Sequence, residues 1–189
     1  MVRDAGGSTP ARADLETRPG HPGDGPTYER DIGTETAATF VRRLARDEGC
    51  YLVLEDRRIV HATWIASTAT WTRELQRYVS PPPGDAYVYE SYTVPRARGR
   101  GLYPLALQAI GAHLDGTAAR VWVGVENDNL ASLRAVTKAG FEAAVAVSYS
   151  RLLGHVTVGP TEELRPDAQP AIAVQQSRAR GGASEASAP

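Results

Sequence analysis

Polar and hydrophobic positions divide the chain into two polar ends and a middle with regular apolar spacing. Residues 1–27 and 159–189 are rich in Gly, Pro, Ala and charged side chains and hold few large apolar ones. Such segments bury too little apolar surface to offset the entropy lost on ordering, so we predict two disordered tails. Residues 28–158 are predicted to form one domain.

The first part of this domain is predicted to hold a helix and a β-hairpin. Apolar residues at i, i+3, i+4 and i+7 predict a helix over residues 37–44, with Thr34 as its cap. Residues 51–54 and 59–65 are rich in β-branched and aromatic side chains around a charged turn, which favours a hairpin. Residues 67–83 have a weaker pattern and are predicted to form a short helix, which either borders a ligand site or covers one end of the core.

The clearest pattern is a strand, a basic glycine turn and a helix. Residues 87–94 are mostly β-branched or aromatic and predict a strand. Pro95 ends this strand because proline has no amide to donate. Apolar positions over residues 102–110 form one stripe at helical spacing, so this helix is expected to pack on the sheet.

The turn between this strand and helix has the composition of an anion site. Arg96, Arg98 and Arg100 surround Gly99 and Gly101. Glycine lets the backbone approach a ligand, and free N–H groups at a helix N-terminus attract anions. One helix end contributes only about 0.3–1 kcal/mol per anion, so several amides and arginines must act together on a polyanion such as a pyrophosphate. The alternative is an arginine-rich surface turn in which the glycines serve tight geometry alone.

A second unit of strand, turn and helix follows the first. Residues 120–125 predict a strand in which Gly124 marks a close approach of backbone or ligand. Asp128 or Asn127 is predicted to cap the next helix, and Gly140 to end it. These caps are also what a helix without any ligand would carry.

The order of elements predicts an α/β domain with a mixed central sheet and helices on both faces. The two units supply two neighbouring strands joined by a helical crossover. Residues 141–153 are predicted to add a strand, and residues 155–158 a short last one.

Together the two units resemble the GNAT superfamily of acyl-CoA-dependent N-acyltransferases. Three motifs carry the resemblance: Arg98-x-x-Gly101-x-Tyr103, Asn129-x-x-Ser132 and Lys138-x-Gly140-Phe141. The first is similar to the pyrophosphate loop of that family, and the other two to its second coenzyme segment. The resemblance implies a GNAT-like domain whose central strands splay apart after the glycine turn and form the cleft for the coenzyme.

The resemblance also implies acetyl-CoA or another acyl-CoA as co-substrate, a small-molecule or peptide amine as acceptor, and no metal. The residues that it assigns to the coenzyme are Thr93, Val94, Arg98, Gly99, Arg100, Gly101, Leu102, Tyr103, Asn129 and Ser132. Two positions depart from the family. Tyr103 stands where Gly or Ala is usual, and Val136 stands where many members carry a tyrosine that protonates the departing thiolate.

Catalytic candidates follow from the chemistry of an amine acceptor, which is mostly protonated at neutral pH and therefore needs a base. Glu90 is the only carboxylate in the central strand and is the predicted base. If its face of the strand meets a helix, Glu90 is a structural ion-pair partner instead and Glu126 becomes the candidate. Tyr149 is the predicted proton donor to the thiolate.

Composition excludes several other classes of protein. The 189 residues carry a formal net charge of −1, so no nucleic-acid partner is expected. Arg42, Arg43 and Arg46 are expected on a solvated helix face. Without a signal peptide or a long apolar run, we expect a cytoplasmic protein with no membrane partner, as a monomer or homodimer. Cys50, the single cysteine, is expected to be a small buried hydrophobe rather than a nucleophile. His61 is expected to be a packed or edge residue rather than a catalytic or metal-binding one.

Three functions remain open from the sequence. The leading hypothesis is transfer of an acetyl or other acyl group from acyl-CoA to a primary amine. A nucleotide-binding oxidoreductase is the second, although Pro104 leaves the pattern G-x-G-x-x-G incomplete. The third is a catalytically silent acyl-CoA-binding or interaction module, which the missing tyrosine at Val136 favours.

Overall fold

The computed structural model describes residues 1–7, 12–46, 48–149, 156–160 and 173–174. The helices and strands within these ranges are β1 (Val2–Asp4), β2 (Glu16–Pro19), α1 (Gly25–Asp31), α2 (Ala37–Leu44), β3 (Gly49–Glu55), β4 (Arg58–Ala66), β5 (Thr70–Thr72), β6 (Arg77–Ser80), β7 (Ala86–Thr93), α3 (Leu102–His113), β8 (Arg120–Val123), α4 (Leu130–Lys138), β9 (Val145–Tyr149), β10 (Val156–Pro160) and β11 (Ala173–Val174). None of these helices is long and apolar enough to cross a bilayer.

A mixed sheet of six strands organises the domain, in the order β1-β8-β7-β4-β3-β2. The pair β7 and β8 is parallel, and the other neighbours in this sheet are antiparallel. The parallel pair is connected through α3, as the crossover between parallel strands requires. This confirms the predicted α/β fold with a mixed central sheet.

Each face of the sheet carries its own buried layer. On one face, α1 and α2 bring Tyr28 and Phe40 onto Trp64 of β4, with the rings of Phe40 and Trp64 centred 5.4 Å apart. On the other face, α3 and α4 bury Ile110 and Val136. Apolar packing on both sides holds the sheet rigid beneath the helix ends.

The central strands β7 and β8 separate part-way along their length. Their pairing runs only from Ala86 opposite Val121 to Val88 opposite Val123, whereas β7 continues to Thr93. The described strands therefore leave the β8 side of β7 open from Tyr89 onward. This is the splay that the family resemblance implies, and it creates a cleft in the middle of the sheet.

The N-terminal part of the chain is ordered, so the predicted disorder of residues 1–27 is wrong for the residues described. Strand β1 pairs with β8, and its Val2 is completely buried. Strand β2 pairs with β3 at the opposite edge of the sheet. The backbone of both segments completes edge strands, and this kind of pairing leaves no compositional signature because backbone groups make the bonds.

The segment predicted as a short helix over residues 67–83 is instead the hairpin of β5 and β6. Thr70 and Thr72 are buried while Trp71 between them is 41% exposed, which is the period of a strand. Trp71 packs across the hairpin on Tyr78, with the ring centroids 5.4 Å apart. This cross-strand pair produced the spacing that resembled a helical stripe.

The C-terminal predictions are corrected in part. Strand β10 includes Gly159, and β11 pairs with β6, so the chain is not a disordered tail throughout from residue 159. The rest of that predicted tail, 161–172 and 175–189, lies outside the described residues. The strand predicted over 141–153 is observed as β9, and residues 150–153 also lie outside the described part.

The predicted helices are present with small changes at their ends. Helix α2 has the predicted bounds, but its cap is Thr36, whose hydroxyl accepts from the amide of Thr39. Asn129, not Asn127 or Asp128, caps α4. Gly140 follows α4 with a φ of 88°, as the predicted stop requires.

Candidate active site

A cleft of about 1440 Å³ opens where β7 and β8 separate. Its walls are β7 from Tyr87 to Thr93, the glycine turn before α3, the segment after β8, one face of α4 and part of β9. The hairpin of β5 and β6 adds Glu74 and Leu75 to the rim. The two units that the sequence singled out therefore meet at one site.

The glycine turn presents unpaired backbone amides to this cleft. Gly99 and Gly101 have φ values of 75° and 74°, which are favourable only for glycine, and nothing lies within 4 Å of the place of an added Cβ. Among the described residues, no acceptor bonds the amides of residues 99–103. Gly101 is the cap of α3 and offers no side-chain bond. The positive end of the helix therefore faces an empty space.

The arginines of the turn point in different directions. The Nε of Arg98 donates to the carbonyl oxygen of Thr93 over 3.3 Å, and both residues line the cleft. Arg100 turns away and binds both carboxylate oxygens of Glu55. This hydrogen bonding lowers the pKa of Glu55 below its ordinary value. Of these two side chains, Arg98 is the one placed to add positive charge to the cleft.

Eight of the ten residues predicted to bind the coenzyme line the cleft: Thr93, Arg98, Gly99, Gly101, Leu102, Tyr103, Asn129 and Ser132. Val94 and Arg100 do not. Val94 is 3% exposed and its amide donates to the carbonyl oxygen of Val60. Its apolar side chain belongs to the core rather than to the wall of the cleft.

Helix α4 brings further positive charge to the site. The side chain of Asn129 accepts from the amide of Ser132, so it orders the first turn of the helix. Arg134 and Lys138 follow on the same helix and line the cleft. Lys138 belongs to one of the three sequence motifs, whereas sequence reasoning did not identify Arg134. Their spacing of four residues was the available signal, since it places both on one helix face.

A chain of polar side chains lies beneath the start of α3. Both ring nitrogens of His61 are 2.8 Å from threonine hydroxyls, Nδ1 from Thr93 and Nε2 from Thr63. The hydroxyl of Thr63 donates to Ser91, and the ring of Tyr103 lies 5.6 Å from that of His61. The large side chain at Tyr103 is thus accommodated against the sheet.

His61 is completely buried, as predicted, and burial lowers its pKa to about 3. In the unfolded chain the ordinary pKa is about 6.5, so acid favours unfolding below that pH until the folded group titrates near 3. We expect this residue to remove about 2 kcal/mol of stability between pH 7 and pH 5. In urea unfolding, the stability of His61→Gln should fall less between pH 7 and pH 5 than that of the wild type.

The matched control is His113→Gln, at an exposed histidine on α3. It should keep the full loss of stability in acid. An equal pH dependence for His61→Gln and the wild type would contradict the assignment to His61.

Glu90 lies in the cleft wall at an irregular point of β7. Its φ is 47°, and the register with β4 shifts there, between Ala62 opposite Tyr92 and Trp64 opposite Tyr89. This is a β-bulge, a feature that redirects a side chain and is frequent next to active sites. A positive φ outside glycine is strained and points to a functional constraint.

The Glu90 carboxylate is also held by a helix. Its Oε2 is 2.7 Å from Nη1 of Arg43 on α2. Arg43 lies over the ring of Trp64 at 3.6 Å and pairs with Glu35 and Glu48 as well. Arg43 is therefore a partly buried residue that joins three carboxylates, which corrects its predicted place on a solvated face. Glu90 therefore meets a helix through Arg43, as a structural ion-pair partner would. It also lies at a strained bulge in the cleft wall, which favours a catalytic role.

Proton donation to the thiolate concerns two positions, Val136 and Tyr149. Val136 is fully buried against the core, so the departure from the family leaves no hydroxyl at that place. The backbone of Tyr149 lies in β9 opposite Val156. Its side chain lies outside the described part of the structure, and its role stays a prediction.

Other reactive groups are accounted for by packing. Cys50 is 2% exposed, as predicted, and burial raises the pKa of its thiol. No group of three or more His, Cys, Asp and Glu side chains suited to a metal occurs within the described ranges.

The fold was compared with those of known proteins. No family model matches the chain, and no curated protein does. A GNAT-family acetyltransferase from Streptococcus pneumoniae superimposes with a TM-score of 0.52 at 16% identity, over 73% of this chain and 91% of that one. Glucosamine-6-phosphate N-acetyltransferase from Arabidopsis thaliana gives 0.52 at 14% identity, over 72% and 97%. A predicted acetyltransferase from Clostridium acetobutylicum, solved with acetyl-CoA, gives 0.50 at 17% identity, over 75% and 98%.

The domain thus has the fold of the GNAT acetyltransferases, a curled mixed sheet with helices on both faces and a splay at its centre. The resemblance inferred from the three sequence motifs is confirmed at the level of the fold.

Proposed function

We propose that the protein transfers an acetyl or other acyl group from acyl-CoA to a primary amine. The observation that carries this proposal is the set of amides at residues 99–103, which no acceptor among the described residues bonds and which lie at the mouth of a cleft in a GNAT fold. Amides at a helix N-terminus are suited to a pyrophosphate. Arg98 adds a charge at the same place.

The open side of β7 provides the second half of the coenzyme site. From Tyr89 onward, the side of β7 that faces β8 pairs with no strand in the described part of the chain. An extended ligand arm with its own amide groups can add to such an edge like a further strand. Pantetheine has this chemistry, and it would bring the thioester from the glycine turn to Glu90.

The proposed base is Glu90, with Arg43 as the residue that positions it. An ammonium acceptor first loses one proton to solvent. The nitrogen of the neutral amine then attacks the thioester carbonyl carbon, and the carboxylate takes its surplus proton. The new C–N bond forms, the C–S bond breaks, and the sulfur takes up a proton. Glu126 also lines the cleft and is the competing candidate.

A catalytically silent acyl-CoA-binding module is the second candidate function. The specific observation in its favour is the burial of Val136 in the core, which removes a hydroxyl from that wall. Such a module would bind acyl-CoA as the enzyme does but release no thiol.

Coenzyme binding at the glycine turn can be tested with Gly101→Asp. The new side chain would bring a negative charge and a strained φ to the proposed pyrophosphate site. We expect the dissociation constant for acetyl-CoA, measured by calorimetry, to rise at least about tenfold.

Gly116→Asp is the matched control for this variant. Gly116 also has a φ of 74° and free space around it, but it lies outside the cleft. Its variant should carry a similar backbone strain and bind acetyl-CoA like the wild type. Unchanged affinity in a folded Gly101→Asp protein would remove the glycine turn from the coenzyme site.

A further inference from the structure

The hydroxyl of Tyr87 lies at the point where the central strands separate. Tyr87 is opposite Trp122 in the last part of the β7–β8 pairing, and its side chain lines the cleft. A Cβ added at Gly124 would meet the Tyr87 hydroxyl at 2.8 Å. The phenol therefore reaches across the gap toward the chain beyond β8, and the absence of a side chain at Gly124 leaves room for it.

This hydroxyl is available to a ligand. The residue is only 6% exposed, and no hydrogen bond to the hydroxyl is formed within the described residues. A buried tyrosine hydroxyl usually finds a partner. Its neighbour Tyr89 follows that rule, since its hydroxyl bonds both Arg43 and Glu48.

The surroundings keep the Tyr87 phenol protonated. Burial is the main cause that raises its pKa above the ordinary value, and the negative or hydroxyl groups of Glu74, Tyr103 and Tyr89 add to this. The group therefore enters a reaction as a neutral donor rather than as an anion.

We propose that Tyr87 is a catalytic residue that donates a proton to the departing coenzyme thiolate. This inference rests on the proposed acyl transfer. The amine nitrogen forms its bond to the carbonyl carbon, the C–S bond breaks, and the sulfur receives the phenolic proton. The surplus proton of the nitrogen goes to Glu90 and returns to the phenolate through water in the open cleft, so one proton leaves nitrogen and one reaches sulfur.

Tyr92 also lines the cleft, but it lies four residues beyond Val88, the last residue of β7 that pairs with β8. Tyr87 fits this role better than Tyr89 and Tyr103, which line the cleft as well. Tyr89 is committed to Arg43 and Glu48, and Tyr103 packs on His61. Tyr87 alone among these three combines a position at the strand gap with a free hydroxyl. It is three residues from Glu90 on the same strand, so base and acid share one rigid element.

The test compares Tyr87→Phe with two other variants in a CoA-thiol release assay. Tyr51→Phe is the matched control, because Tyr51 is also 6% exposed but lies outside the cleft. Tyr149→Phe tests the competing candidate. We expect kcat to fall about 10²-fold in Tyr87→Phe, with the acetyl-CoA dissociation constant within threefold of wild type. The other two variants should remain within threefold in kcat.

A change of leaving group separates proton donation from a packing role. The acetyl thioester of thionitrobenzoate expels a stable thiolate that needs no proton. With this donor Tyr87→Phe should approach the wild-type rate, whereas a variant with a damaged site would be slow with both donors.

If the wild type transfers acetyl groups, two outcomes would overturn the role of Tyr87 and leave the proposed acyl transfer intact. One is a Tyr87→Phe rate within threefold of wild type with acetyl-CoA, and the other is an equal deficit with both donors. A loss confined to Tyr149→Phe would move the role to that residue. Absence of thiol release by the wild type with every amine would overturn the proposed function and this inference together.

Discussion

Deletion of residues 1–7 is expected to lower the free energy of unfolding by about 4 kcal/mol. Val2 is completely buried, and burial of such a side chain contributes about 1.5–3 kcal/mol. The guanidinium of Arg3 donates to the carbonyl oxygens of Ala139, at 2.9 Å, and Gly6, and bonds to a charged donor contribute about 1.5–3 kcal/mol. Thermal unfolding followed by circular dichroism should show a midpoint about 10 °C lower.

A pair of valine substitutions provides the control for this deletion. Val2→Ala should lose stability because it leaves a cavity at a fully buried place. Val41→Ala, at a valine that is 38% exposed, should change stability little. A deletion variant that melts with the full-length protein would contradict the structural role of β1 and restore the interpretation of this segment as a tail.

Glu90→Gln is expected to reduce kcat about 10²-fold while acetyl-CoA affinity is retained. Glutamine keeps the size of the side chain and can still accept a hydrogen bond from Arg43, so the fold should persist. It cannot take a proton from the amine. Thiol release measured from pH 6 to 9 gives kcat for the variant and the wild type.

Glu126→Gln is the comparison for this result, because Glu126 is the other candidate in the cleft. It should remain within threefold of wild type across the same pH range. If Glu90→Gln stays within threefold and Glu126→Gln loses activity, the base is Glu126, and Glu90 is a structural partner of Arg43.

The features predictable from sequence were those encoded locally. The strand, glycine turn and helix depend on residues that are adjacent in sequence: β-branched and aromatic residues form the strand, Pro95 ends it, and glycines permit the turn. Gly99 and Gly101 lie in the predicted turn, and both have a positive φ. The same holds for the stop at Gly140 after α4.

Features that depend on distant partners escaped prediction. Strand β1 forms because the edge of β8 accepts its backbone, and composition says nothing about that edge. Arg43 was expected to be as solvated as Arg42 and Arg46. Its partial burial depends on Trp64 and on carboxylates up to 47 residues away. Tyr87 was placed in a strand, but its free hydroxyl follows from where β8 ends.

The most direct measurement of the central claim is CoA-thiol release by the wild-type protein with acetyl-CoA and a panel of primary amines. We predict that at least one small-molecule or peptide amine gives thiol and acetylated amine in equal amounts. Binding of acetyl-CoA without thiol release from any amine would contradict catalysis and favour the silent module, and failure to bind acetyl-CoA would contradict both.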